Sequence, residues 1–76
     1  MKKLVKVEVG WKYTMDNEGA NIISVKFPVL SFDGDDLKKR KTWPDEKWLS
    51  HALDVFEAQR KFRPTQKDAW VQRYYE

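Results

Sequence analysis

The sequence predicts an α+β fold: an antiparallel β-hairpin packed by one long amphipathic helix, with a C-terminal third strand or short helix. Three observations carry this expectation. Residues 4–13 alternate in polarity, residues 23–29 alternate again after a turn-rich stretch, and residues 45–62 place apolar side chains at helical spacing.

In the first segment Val5, Val7, Val9, Trp11 and Tyr13 occupy the odd positions, with Lys6, Glu8, Gly10 and Lys12 between them. Period-two alternation of β-branched and aromatic residues marks a strand with one buried face. Gly10 falls on the polar face, where a glycine marks a bulge or a close approach by another group. Met15 to Asn21 is rich in Asp, Asn and Gly and reads as a turn. The second strand carries Ile23, Val25, Phe27 and Val29 at odd positions. A hairpin turning near Asn17 or Glu18 sets Trp11 opposite Ile23, Val9 opposite Val25 and Glu8 opposite Lys26, with both apolar rows on one face. Pro28 has no N–H for a ladder, so this stretch is expected at an edge or an end.

Ser31 to Asp36 is a second turn cluster. Its acids lack the ligand spacing of a calcium loop, since position twelve from Asp33 is Pro44. The helix is expected from Asp45 to Phe62. Thr42 and Asp45 have capping-box spacing, and Asp45 and Glu46 suit the positive end of the helix dipole. Trp48, Leu49, Ala52, Leu53 and Phe56 form its apolar stripe. Arg60, Lys61 and Arg63 complement the negative end, and Pro64 stops it. Residues 65–76 fit either a strand, from Trp70, Val71, Tyr74 and Tyr75, or a short helix capped at Thr65. A third strand would support a hairpin that is marginal alone. The expected core is Val5, Val7, Val9, Trp11, Ile23, Val25, Phe27, Trp48, Leu49, Ala52, Leu53 and Phe56.

The 76 residues fit one domain, 1–76, with no cysteine and one histidine. Disulfides are excluded, and a structural zinc site lacks its usual ligands. No metal and no cofactor is expected. No stretch approaches the ~18 apolar residues of a membrane span. Lys6 and Glu8 interrupt any signal-peptide core, so a cytoplasmic location is expected. The net charge of +3 is uneven: residues 1–37 carry −1 and residues 38–76 carry +4. A basic half favours nucleic acid or an acidic protein surface as partner.

Catalysis is not expected. Ser50, His51 and Asp54 have triad residue types, but Ser50 and His51 project about 100° apart on a helix. The three glycines are isolated, so no phosphate-binding loop is present. Candidate binding residues are instead basic and aromatic: Lys38, Lys39, Arg40 and Lys41 with Trp43, and Arg60, Lys61 and Arg63. Cations release counterions from phosphates, and aromatics stack on bases or anchor protein interfaces. The competing reading is that the first cluster is a solvated loop and the second satisfies the helix dipole. The predicted helix also separates the two clusters by its own length. Eleven aromatics are more than so small a core hides, which favours a partner.

Leu4-Val5-Lys6-Val7 followed by Gly10-Trp11 resembles the start of the Dmd-type antitoxins of T-even phages. Ala52-Leu53 and Phe56 followed by Arg60-Lys61 echo their helix. This chain is longer, has no cysteine and adds the Lys38–Lys41 block. Those antitoxins occupy the active groove of a host endoribonuclease toxin. The resemblance implies a small phage-type inhibitor that binds a host protein in a bacterial cytoplasm, with RNA as an accompanying ligand. The alternative expectation is a basic module for single-stranded RNA or DNA.

Overall fold

A computed structural model describes residues 2–17 and 22–76; of these, the side chains of Asp16, Asn17 and Ile22 are not described. The chain forms β1 (Leu4–Asn17), β2 (Ile22–Lys26), β3 (Val29–Asp33), one 3₁₀ turn (Gly34–Leu37), α1 (Asp45–Arg60) and β4 (Lys67–Tyr75). The α+β architecture is as expected, and the tail is a strand. All strand pairs are antiparallel, and β1 is the hub. β3 and β4 flank its first half from opposite sides. Among the described residues β2 alone pairs its second half.

β2 and β3 are one arm in a single register. Tyr13 opposes Lys26 and Gly10 opposes Val29, so the intervening Trp11 opposes Pro28. The Trp11 N–H donates to the Pro28 carbonyl at 3.3 Å. Pro28 has no N–H to return, so the ladder loses one bond there and the strand divides in two.

This register corrects the expected one. Trp11 faces a residue five positions beyond Ile23, because β1 continues through Met15 to Asn17 where a turn was expected. The rest of that turn, Glu18 to Asn21, lies outside the described residues. An odd shift exchanges the faces of the returning strand. Leu30 and Phe32 now lie against Val9 and Val7. Ile23, Val25, Phe27 and Val29 point outward, so Ile23, Val25 and Phe27 are not core residues.

The buried core comprises Leu4, Val7, Val9, Trp11, Phe32, Leu37, Trp48, Ala52, Leu53 and Phe56. Val5 and Leu49 are only partly buried. Phe32 and Leu37 close the end near the loop, and Phe32 packs on Trp48 with ring centres 5.3 Å apart. Trp11 meets Phe56 edge-on at 5.4 Å. The indole N–H groups of Trp11 and Trp48 are buried without a hydrogen-bond partner among the described residues, each at a cost of about 1–3 kcal/mol.

The helix begins where expected, but its cap is Pro44, with no side-chain cap bond, so Thr42 does not close a capping box. Lys47 and Trp48 donate their N–H groups to the Pro44 carbonyl. The helix ends at Arg60, two residues early, because Lys61 turns left-handed at φ 69°. Arg73 ties β4 to the helix start, donating to Asp45 at 2.5 Å and to the Trp43 carbonyl at 2.9 Å. The molecule measures 54 × 20 × 17 Å because the β1–β2 ribbon projects beyond the helix-covered sheet. No helix among the described residues is long and apolar enough to cross a membrane.

Candidate interaction surfaces

The sheet has an inner face under the helix and an outer face without a covering element among those described. Alternation fixes which side chains reach the outer face. From β1 these are Lys6, Glu8, Gly10, Lys12 and Thr14; from β4, Trp70, Gln72 and Tyr74; from the returning arm, Ile23, Val25, Phe27, Val29, Ser31 and Asp33.

The arm contributes an apolar row. Ile23 and Phe27 are 69% and 70% exposed, and Val25 and Val29 are 45% and 49% exposed. Trp70 extends the surface across the sheet from Val29. It sits opposite Gly10, and a Cβ added at Gly10 would overlap the Trp70 ring. The glycine is therefore the close approach that the polar face suggested, and it lets the indole lie on the strand while remaining 43% exposed. Lys12 and Lys67 oppose each other beside this platform.

A polar group closes the other end of the face. Glu8 accepts hydrogen bonds from the hydroxyls of Tyr74 and Ser31, the latter at 3.3 Å. Lys6 lies 4.7 Å from the centre of the Tyr74 ring and 3.9 Å from the Glu8 carboxylate. The Tyr74 bond, then Lys6 and Ser31, hold the Glu8 pKa below its ordinary value despite some desolvation. The same bond raises the Tyr74 pKa, helped by desolvation and the Glu8 charge.

The basic residues singled out in the sequence occupy two separate places. Lys38, Lys39 and Lys41 are exposed on the loop between the 3₁₀ turn and α1, with Lys39 left-handed at φ 64°. Arg40 donates to the Asp36 carbonyl at 2.9 Å and lies over Trp43. Trp43 is half-buried, edge-on to Trp48 at 5.1 Å, with Lys47 on its ring. Lys41 also meets Lys2, Lys3, Leu4 and Tyr75 around an open depression, which joins the loop to the chain start. That convergence is tertiary, because Lys2 and Lys41 are far apart in sequence.

Arg60, Lys61 and Arg63 lie at the opposite end of α1, about 24 Å away along 16 residues. Arg60 covers Phe56, Lys61 caps the helix, and Arg63 donates to Asp54 at 2.6 Å and Glu57 at 3.1 Å. Arg63 is thus already paired with two carboxylates, which raise its pKa. The two clusters do not form one patch.

His51 packs against Phe32, Trp43 and Trp48. Burial lowers its pKa, and Arg40 lowers it further, against opposing effects of Asp54 and Asp36. Among the described residues no group of three His, Asp or Glu side chains is placed to hold a metal ion. No family model, curated protein or solved structure matches the chain.

Proposed function

We propose that the chain is a non-catalytic binding protein of the inhibitor or antitoxin kind. It acts in a bacterial cytoplasm on a host protein such as an endoribonuclease toxin. The observation that carries this reading is the apolar row of Ile23, Val25, Phe27 and Val29, which is exposed on one face and continues towards Trp70. Exposed contiguous apolar surface on a small soluble domain supports a protein contact, and aromatic anchors dominate such contacts. Lys12 and Lys67 sit at the rim of this surface, while Lys38, Lys39 and Lys41 favour approach of an acidic partner.

A second reading has its own observation. Trp70 lies on Gly10 beside Lys12 and Lys67, an arrangement that suits an unpaired base on the indole with its phosphate on the lysines. In this reading single-stranded RNA accompanies or replaces the protein partner.

One capture experiment separates the two. Tagged protein is incubated with nuclease-treated bacterial lysate, alongside a Phe27→Ser and Val25→Thr double variant. A stoichiometric protein partner retained by the parent and lost by the double variant supports the inhibitor reading. Recovery of nucleic acid alone from untreated lysate, with binding that weakens steeply in salt, overturns it in favour of RNA.

A further inference from the structure

Among the described residues the returning arm leaves one edge of the sheet open, and the register determines which backbone groups lie on it. Trp11 and Pro28 form a hydrogen-bonded pair, so the even residues of β2 and β3 direct their N–H and C=O groups towards β1. The odd residues, Ile23, Val25, Phe27, Val29 and Ser31, direct theirs away from it. Pro28 is an even residue. Its missing N–H faces inward, so it interrupts the internal ladder and leaves the outer edge intact. Proteins ordinarily blunt such edges with proline, lysine, bulges or a covering element. Between Ile23 and Ser31 the only charge is Lys26.

The opposite edge is protected. β4 carries Lys67, Asp68 and Arg73, turns left-handed at Asp68 with φ 51°, and shifts register between Gly10 and Lys12. Arg73 also bridges its inner side to Trp43 and Asp45.

We propose that the open edge pairs antiparallel with the same edge of a second copy of this chain, with Phe27 on the two-fold axis. This register sets Val25 against Val29 of the second copy, Phe27 against Phe27, and Ile23 against Ser31. The outward-directed groups of all five odd residues then meet outward-directed groups, giving about ten backbone hydrogen bonds, the number common at specific interfaces.

Charge selects this register over its neighbours. Lys26 meets Pro28 of the second copy on the inner side, whereas a register centred on Lys26 would oppose two lysines. A register centred on Val29 would set Val25 against Asp33 and retain a single apolar pair. A register centred on Val25 also has three apolar pairs but sets Val29 against residue 21, outside the described residues, whereas the Phe27 register has three and pairs all five odd residues within them. It also supplies what the projecting ribbon lacks. β2 gains β3 of the second copy as a neighbour, and a ribbon that is marginal as two strands lies inside a sheet of eight.

The proposal concerns the chain alone and does not rest on the inhibitor reading. The absence of cysteine makes a single introduced thiol a clean probe. Phe27→Cys and, as a control on the β4 edge, Ala69→Cys are each labelled with pyrene, and the parent and a Val25→Lys variant are examined by sedimentation equilibrium. Circular dichroism establishes that each variant is folded. The expected result is a dimeric parent, pyrene excimer emission from position 27 and none from position 69, and a monomeric Val25→Lys protein. A parent that stays monomeric to millimolar concentration overturns the proposal, as does a dimer with excimer emission from position 69 or one unaffected by Val25→Lys. A monomer that still captures a host protein rejects the second copy while leaving the inhibitor reading standing.

Discussion

The two halves of β1 carry the same alternation in different surroundings. Residues 4–12 have β3 on one side, β4 on the other and the helix beneath, and Val7 and Val9 are fully buried. Among the described residues, residues 13–17 have β2 as their one paired strand, and Met15, Ile23 and Val25 are exposed. An apolar residue at the helix-covered end contributes by leaving water. The same residue type on the outer row contributes less to the monomer and keeps about half or more of its surface free to meet a partner. Period-two patterning thus identifies a strand without saying which of its rows is buried.

Truncating the helix-covered end has the largest expected effect. Trp48→Ala should cost about 3–5 kcal/mol and Leu53→Ala about 2–5 kcal/mol, comparable with the whole stability of a domain this size. Urea melts should show both variants largely unfolded; a Leu53→Ala protein that melts like the parent would mean its helix face is not buried. At the junction between halves, Gly10→Val forces Trp70 off the strand, at an expected cost of about 1–3 kcal/mol. A red shift in tryptophan emission should accompany that loss.

Arg73→Ala removes two hydrogen bonds between β4 and the helix start, and its expected cost is about 1–2 kcal/mol. On the outer face, Phe27→Ser should change monomer stability by at most about 0.5 kcal/mol. Its effect should appear in association instead. A large loss of monomer stability from Phe27→Ser would erase the contrast between the two halves.

The smallest expected effects follow from titration. The folded-state pKa values of Glu8 and His51 are depressed, so the unfolded chain binds more protons below their ordinary values. The stability that each contributes is present above its unfolded pKa and declines as pH falls through the folded one. For His51 the decline starts below about pH 6.5, and for Glu8 below about pH 4.3. Tyr74 has the opposite sign: its raised pKa gives stability that is present below about pH 10 and is lost on further alkalinisation. Melting temperature against pH should therefore fall at both ends, and Tyr74→Phe should weaken the Glu8 and Tyr74 contributions together.

Much of the architecture was legible locally. The helix follows from its i, i+3, i+4 stripe, the acids in its first turn and Pro64 beyond its end. The first strand follows from alternation, and Gly10 on a polar face signalled close approach. The hairpin register was not legible, because the odd row of Ile23, Val25, Phe27 and Val29 is more apolar than the even row, of which Phe32 is buried and Leu30 partly so. The signal for the actual register lay in Leu30, Phe32 and Leu37, apolar residues within and on either side of what reads as a polar turn. Of the binding candidates, Arg40, Trp43 and Arg60 have local structural contacts at helical spacing, and Arg63 reaches back to Asp54 and Glu57 on the helix. The outer face could not be read from any one segment, since it is assembled from three strands.

By itself the sequence determined the first strand and the helix, the helix-covered stripe, the absence of disulfides and the basic second half, and it left the tail open between strand and helix. These depend on composition and on periodicities of two and 3.6, which are local properties. The tertiary structure alone decided which row of the returning arm turns towards the helix, that the tail is a strand, which edge of the sheet stays open among the described residues, and that Lys2 and Lys3 join Lys41. Burial depends on register, and an odd shift in register exchanges the two faces of a strand without altering its pattern.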